Sequence, residues 1–260
     1  VPDAVLNYLV RLGWSHGDQE VFTREELIEK FDFAQVGGQA GRYDLKKFEF
    51  VQGEHLRMLS DDVLALTHRD EGLFFVDISD PTSPVELSRL SGRGYEGMAR
   101  IDDHLLVSVR GEGLRPFDIS DPRRPQALGL SDGPPSVWDL TPPRGGWVYA
   151  ADNLDGVVPI DISDPSRPQV GQAVALDGPA LHVAVDGDHL YASIGGPGVV
   201  VLSLEDPAAP RAVATAPTGG SAVMSAASDG LLWVADHEGV AVFDVAEPSL
   251  GALNLDVGVD

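Results

Sequence analysis

The stretch Gly156-Val157-Val158-Pro159-Ile160-Asp161-Ile162-Ser163-Asp164-Pro165 decides how this chain is read. Apolar and polar residues alternate after the glycine, as in a strand with one covered face. The glycine predicts a tight turn with positive φ. Proline has no N–H for a sheet ladder, so Asp164-Pro165 ends the strand.

Related strings recur along the chain. They are Phe75-Val76-Asp77-Ile78-Ser79-Asp80-Pro81, Pro116-Phe117-Asp118-Ile119-Ser120-Asp121-Pro122, Val201-Leu202-Ser203-Leu204-Glu205-Asp206-Pro207 and Val242-Phe243-Asp244-Val245-Ala246-Glu247-Pro248. The terminal prolines of the five copies stand 41, 43, 42 and 41 residues apart. Nine residues before each stands a glycine: Gly72, Gly113, Gly156, Gly198 and Gly239.

A strand precedes each glycine: Leu64–Thr67, Leu105–Val109, Trp147–Ala150, His189–Ser193 and Leu231–Ala235. Another follows Asp-Pro, as at Gln126–Leu130 and Arg211–Thr215, and a fourth opens each unit, as at Met98–Ile101 and Leu181–Val185. Four short strands per unit make one propeller blade. The fold expected is mainly β: a five-bladed β-propeller with units near 55–90, 96–131, 136–175, 180–215 and 220–257, preceded by a small α-helical segment. The domains expected are a helical part over 1–54 and a propeller over 55–260. No strand exchanged between the first and last units is visible, so five blades either close without a latch or come from a longer propeller.

The composition divides at the same place. The chain has 260 residues, a formal net charge of -23 and no cysteine. Residues 1–58 hold 7 basic and 10 acidic side chains; the remainder holds 11 and 31, a net of -20. All three lysines, Lys30, Lys46 and Lys47, lie in the first part. The charge argues against nonspecific nucleic-acid binding by the whole chain. Without cysteine there is no disulfide framework and no thiolate metal site. No apolar run approaches the roughly 20 residues that span a bilayer, so no membrane partner is expected. The sequence begins with Val1 and shows no leader pattern, so none is expected.

The repeated string resembles the LVIVD-type β-propeller repeat, and the resemblance covers roughly residues 60–260. It implies architecture and little chemistry, because propellers host many functions.

The first part reads helical. Leu6, Leu9 and Leu12 recur at helical spacing before Gly13. Thr23-Arg24-Glu25-Glu26 fits a capping box, with Leu27, Ile28 and Phe31 as an apolar face. Asp44 is placed to cap a helix through Leu45, Phe48 and Val51. The strings Leu6-Asn7-Tyr8-Leu9 and Leu12-Gly13-Trp14-Ser15-His16-Gly17-Asp18 make residues 1–58 resemble glutamyl-tRNA synthetase, just after its Lys-x-Ser-Lys loop. The match continues through Tyr43-Asp44, Lys46-Lys47 and Val51-Gln52-Gly53-Glu54-His55-Leu56-Arg57, where Phe50 and Gln52 depart from the family's usual Trp and Asn. The family's His-x-Gly-His and Lys-x-Ser-Lys motifs are absent, so the resemblance implies no adenylate chemistry in this chain. Residues 54–62 are claimed by both resemblances, as a helix by one and an inner strand by the other.

Few residues suggest a site. His104 and His189 share one repeat position and read as turn residues, while His16 reads as structural. Asp152-Asn153-Leu154-Asp155-Gly156 has a loose calcium-loop look, yet it lacks a downstream bidentate acid and sits at the hairpin position. Asp77, Asp118, Asp161 and Asp244 recur once per unit and read as turn formers rather than a carboxylate ring. Gly195-Gly196-Pro197-Gly198 reads as hairpin, not phosphate cradle. No catalytic, cofactor or metal residue is expected. The candidate binding face comprises Arg93, Tyr95, Trp138, His182 and Met224, on or just before inner strands; for the last four the alternative is packing between blades.

The function expected is a non-catalytic binding or scaffold propeller, taking a protein or small molecule at its face and joined to a catalytically incomplete synthetase segment. The alternative is a fragment of a glutamate–tRNA ligase, with ATP as cofactor and tRNA as partner only through a complete synthetase. A hydrolase with carboxylates at the propeller channel is a third possibility, supported only by acid content. The synthetase resemblance implies a cytoplasmic location; LVIVD-type propellers are often exported.

Overall fold

The structure, a computed structural model, describes residues 22–30, 62–80, 82–131, 133–228, 230–245 and 253–255. Helix α1 (Arg24–Lys30) starts as the capping box predicts. The Glu26 amide donates to Thr23 Oγ1 at 3.1 Å, and the Thr23 amide donates back to Glu26 Oε2 at 2.9 Å. Two N–H groups of the helix start are thereby satisfied. Leu27 is buried, as expected of the apolar face. The helices predicted around Leu6–Leu12 and Asp44–Val51, and residues 54–59, lie outside the described residues.

Everything from Val63 onward is strand and turn, in five antiparallel sheets among the described residues. The first holds β1 (Val63–His68), β2 (Gly72–Asp77) and β3 (Val85–Ser91). The second holds β4 (Tyr95–Ile101), β5 (His104–Val109), β6 (Gly113–Asp118) and β7 (Gln126–Ala127). The third holds β8 (Val137–Leu140), β9 (Trp147–Asp152), β10 (Gly156–Asp161) and β11 (Gln169–Val170). The fourth holds β12 (His182–Asp186), β13 (His189–Ser193), β14 (Val199–Ser203) and β15 (Arg211–Ala216). The fifth holds β16 (Ala222–Ser228), β17 (Leu231–Asp236), β18 (Val240–Asp244) and β19 (Leu253–Leu255).

Each sheet is a meander whose strands pair in chain order. The opening strands of successive sheets lie side by side, β4 by β8, β8 by β12 and β12 by β16. The first sheet has three described strands, β1–β3, which match the second, third and fourth strands of the other sheets. One hydrogen bond recurs in all five. The amide after the third strand donates to the carbonyl before the second: Ile78 to Asp62, Ile119 to Asp103, Ile162 to Gly146, Leu204 to Asp188 and Val245 to Gly230, at 2.7–2.9 Å.

The core is a series of apolar layers between neighbouring sheets. Phe75 and Leu73 meet Leu105, Val107 and Phe117 between the first two sheets. Leu106 and Leu114 meet Val148 and Ile160 in the next layer. Tyr149 and Val157 meet Leu190 and Leu202 in the third. Tyr191 and Val201 meet Leu232 and Phe243 in the fourth. Each repeat therefore buries its apolar face only against its neighbours, as a repeat architecture requires.

The glycine expectation holds at four of five positions. Gly72, Gly113, Gly156 and Gly198 have φ of 114°, 114°, 93° and 102°. The fifth, Gly239, lacks positive φ and has nothing crowding the place of a Cβ. At the other four, the chain segment after the third strand brings a carbonyl against the glycine, which excludes a side chain there.

The Asp-x-Ser-Asp-Pro string forms two successive turns. Asp77, Asp118 and Asp161 each accept the amide and hydroxyl of the serine two residues on, at 2.6–3.0 Å. Asp80, Asp121, Asp164 and Asp206 then accept the amide two residues on, each at 3.0 Å. These are Asx turns, in which the carboxylate replaces a backbone acceptor.

The serine hydroxyl and then its amide hold the carboxyls of Asp77, Asp118 and Asp161 below the ordinary range. The free carboxyl titrates near ~3.9 in an unfolded chain. A lowered folded value means that stability is present in full above that point and is lost as pH falls through the folded values. The denaturant midpoint is therefore expected to fall as pH drops from 5 toward 3. The Asp118→Asn/Asp161→Asn double variant is expected to show a flatter fall. An unchanged slope would remove the carboxylates from this role.

Candidate functional site

The end of each sheet where the opening strand begins also carries the hairpin between second and third strands. Antiparallel register enforces this: Tyr95 pairs with Val109, which pairs with Gly113. Val137 likewise pairs with Asp152 and that with Gly156. The predicted face residues therefore gather at one end of the sheet array.

They are not equivalent there. Arg93 is exposed in the loop before β4. Tyr95 is buried in the layer between the first two sheets, with Arg115 Nη1 3.4 Å from its hydroxyl. It is packing, not open face. Trp138 is 39% exposed, and Met224 on β16 is half-buried. His182 Nε2 lies 3.4 Å from Asp139 Oδ2, which also accepts the Val183 amide at 3.1 Å. His182 Nδ1 accepts the Ser225 amide at 3.3 Å. The Asp139–His182–Ser225 chain therefore spans three sheets as a bridge. It lacks the wiring of a nucleophile, because the Ser225 hydroxyl is buried against the Ser193 hydroxyl at 3.2 Å.

Irregular pairing decides which side chains emerge. Register shifts fall between Tyr95 and Met98, between Val137 and Asp139, and between Ala222 and Met224. Each inserts extra residue on the opening strand, and bulges redirect side chains. Trp138 and Val223 stand at such insertions and are both exposed. Glu96 stands at the first.

Sequence reasoning missed Glu96 and its partners. Glu96 Oε1 lies 3.0 Å from Arg69 Nε and 3.1 Å from Arg110 Nη2, and Oε2 accepts from Arg69 Nη2 at 3.2 Å. The Arg110 guanidinium also sits 5.7 Å from the centroid of the Trp138 ring. Gly94 ties the three loops together: its amide donates to Arg69 O at 2.6 Å, and its carbonyl accepts the Arg110 amide at 2.7 Å.

The other acids are consumed by structure. Asp152 is buried and accepts the amides of Leu154, Asp155 and Ser136 at 2.7–3.1 Å. The calcium-like string is a hairpin lock. Asp236 accepts the Glu238, Gly239 and Gly220 amides in the same way. Gly195 and Gly198 close the fourth hairpin, as expected. The repeated Asp77, Asp118 and Asp161 end third strands and are exposed or half-buried there, engaged with their serines.

Comparisons with known proteins match both parts of the chain. The LVIVD repeat family model matches residues 67–91 and 144–174. Glutamate–tRNA ligase of Anaeromyxobacter sp. (strain Fw109-5) is 58% identical over 65 residues, 25% of this chain and 14% of the ligase. That of Rhodopseudomonas palustris (strain HaA2) is 45% identical over 91 residues, 35% of this chain and 18% of the ligase. The chain thus spans less than a fifth of the length of these relatives. Among solved structures, a functionally unknown protein from Desulfotomaculum acetoxidans has a TM-score of 0.60 at 13% identity, over 74% of this chain and 64% of its own. BamB from Moraxella catarrhalis has a TM-score of 0.52 at 16% identity, over 70% and 53%. These structural likenesses concern fold alone. The chain thus holds two stretches that match the LVIVD repeat model together with a segment similar to glutamate–tRNA ligases.

Proposed function

We propose that this chain is a non-enzymatic binding or scaffold module. Its five sheets would be the blades of a closed propeller over residues 55–260, with residues 1–54 as a helical appendage. The observation that carries the reading is the fate of the polar residues. The repeated acids and hydroxyls are spent in turns, while the unrepeated Arg69, Glu96, Arg110 and Trp138 meet at one end of the sheets, with the exposed Arg93 in the loop beside them. A structural repeat with one distinctive end fits presentation of that end to a partner.

The test is site-specific photo-crosslinking with a photoreactive residue at position 138, and at Asp188 near the opposite sheet ends as control. A discrete partner adduct at 138 and none at 188 is expected. Equal labelling at both would remove the reading.

A second reading rests on the 58% identity to a glutamate–tRNA ligase segment. It makes the chain part of such a ligase, with the ATP-binding motifs elsewhere. The chain alone is expected to give no ATP-dependent glutamylation of tRNA. Tight, salt-sensitive tRNA binding by this chain would favour this reading over the first, because the acidic propeller part repels phosphates.

A further inference from the structure

The cation cluster on the first two sheets is unlike the rest of the propeller part. That part carries 11 basic against 31 acidic side chains, yet Arg69, Arg93 and Arg110 stand on three loops tied through Gly94. Arg69 and Arg110 face one partly buried carboxylate, Glu96. One carboxylate compensates one guanidinium, so the cluster holds excess positive charge. Arg69 and Arg110 share that carboxylate: Glu96 Oε1 lies 3.0 Å from Arg69 Nε and 3.1 Å from Arg110 Nη2, and Oε2 accepts from Arg69 Nη2 at 3.2 Å. Arg93 is exposed and makes no hydrogen bond or ion pair among the described residues.

An apolar surface adjoins this cluster. Trp138 is 39% exposed beside Arg110, and Leu154 in the third hairpin is 71% exposed. The Asn153 amide bonds Ser136 O at 3.0 Å, which holds that hairpin against the start of β8. Guanidinium forks match a carboxylate in two-point geometry, and aromatic residues with arginine dominate binding hot spots.

Resting on the binding-module reading, we propose that Arg69, Arg93 and Arg110 with Trp138 and Leu154 form a site for a peptide segment in which a carboxylate side chain neighbours an apolar one. Charge selects this partner over nucleic acid. Glu71 and Glu112 flank the cluster in the same hairpins, and a polyphosphate chain extending past the arginines would meet the acidic surface. A single carboxylate is satisfied within the cluster.

The test uses the full chain and fluorescent capped hexapeptides with one aspartate beside leucine or phenylalanine, each paired with its asparagine counterpart. Aspartate peptides are expected to bind about tenfold tighter than their counterparts, the value of one charge-assisted pair. Added salt is expected to erode the difference. Arg93→Gln/Arg110→Gln should remove it, and Trp138→Ala should weaken both peptide types. Thermal midpoints check that the variants fold; if they do not, the paired comparison on the unaltered chain decides. Equal binding of both peptide types overturns the carboxylate assignment and leaves the binding-module reading standing. Tighter binding of single-stranded RNA than of any peptide, or no peptide binding below about 1 mM, also overturns it. The crosslinking at position 138 separately decides the broader reading.

Discussion

Replacing Gly156 by alanine is expected to cost about 3–5 kcal/mol, from strained backbone plus overpacking. Gly156 has a φ of 93°, which an L side chain rarely adopts. An added Cβ would also stand 2.3 Å from Val174 O and 3.1 Å from Leu176 N. That carbonyl cannot retreat freely, because it accepts the Val157 amide at 3.0 Å while Val174 N donates back to Val157 O at 2.7 Å. Two other glycines separate the contributions. Gly111 has a φ of 79° with open space around it. Gly111→Ala is expected to cost about 1–2 kcal/mol from backbone strain alone. Gly239, at the same repeat position as Gly156, has neither feature, and Gly239→Ala should fall within about 0.5 kcal/mol of the parent. Urea unfolding followed by circular dichroism gives the three values. Equal costs at 156 and 239 would show that the repeat position, and not the close carbonyl, sets the requirement.

That comparison shows where the sequence was legible. A fixed nine-residue offset from glycine to proline marked five hairpins whose following strands start within one residue of the glycine. The signal is readable because both punctuation residues act locally, one through φ and one through its missing N–H. The fifth glycine was misread because its demand is not local: crowding depends on a carbonyl supplied from 18 residues downstream, as between Gly156 and Val174. Of the two fourth strands named, Arg211–Thr215 forms as Arg211–Ala216, but the other was overdrawn. Gln126–Leu130 was expected, and Gln126–Ala127 forms, with Leu114 and Ser131 paired as a separate bridge.

The candidate site was only partly legible, for a different physical reason. Period-two alternation placed the opening strands, and hence the end of each sheet at which the candidate residues lie. A bulge then breaks the period, and three of four opening strands have one near their start. Trp138 emerges because of such an insertion, while Tyr95, before one, turns into the core. Glu96 could not be chosen from spacing, since its partners Arg69 and Arg110 lie on separate hairpins. An unrepeated acid next to a repeat-bearing strand start was the available signal.

Tyr149 carries the second large prediction, because it joins neighbouring sheets by both packing and hydrogen bonding. Its side chain is buried in the layer between the third and fourth sheets. Its hydroxyl donates to Pro207 O at 3.2 Å, at the Asp-Pro turn of the next repeat. Ser88 to Pro122 O and Ser131 to Pro168 O, at 2.6 and 3.4 Å, make comparable links between earlier sheets. Tyr149→Ala removes the ring and is expected to cost about 3–5 kcal/mol. Tyr149→Phe keeps the ring and loses the bond, for about 1 kcal/mol. Burial pushes the Tyr149 and Tyr191 phenols up to about 12. A folded value above the free phenol's ~10 gives stability that is complete below pH 10 and lost as pH rises through about 12. Ultraviolet titration should therefore show Tyr149 and Tyr191 ionising late, and the late-ionising absorbance should fall by one phenol in Tyr149→Phe. That variant should also resist alkaline unfolding better than its neutral-pH stability suggests. If its alkaline midpoint tracks the neutral loss instead, ionisation of this phenol is not what loosens the third and fourth sheets at high pH.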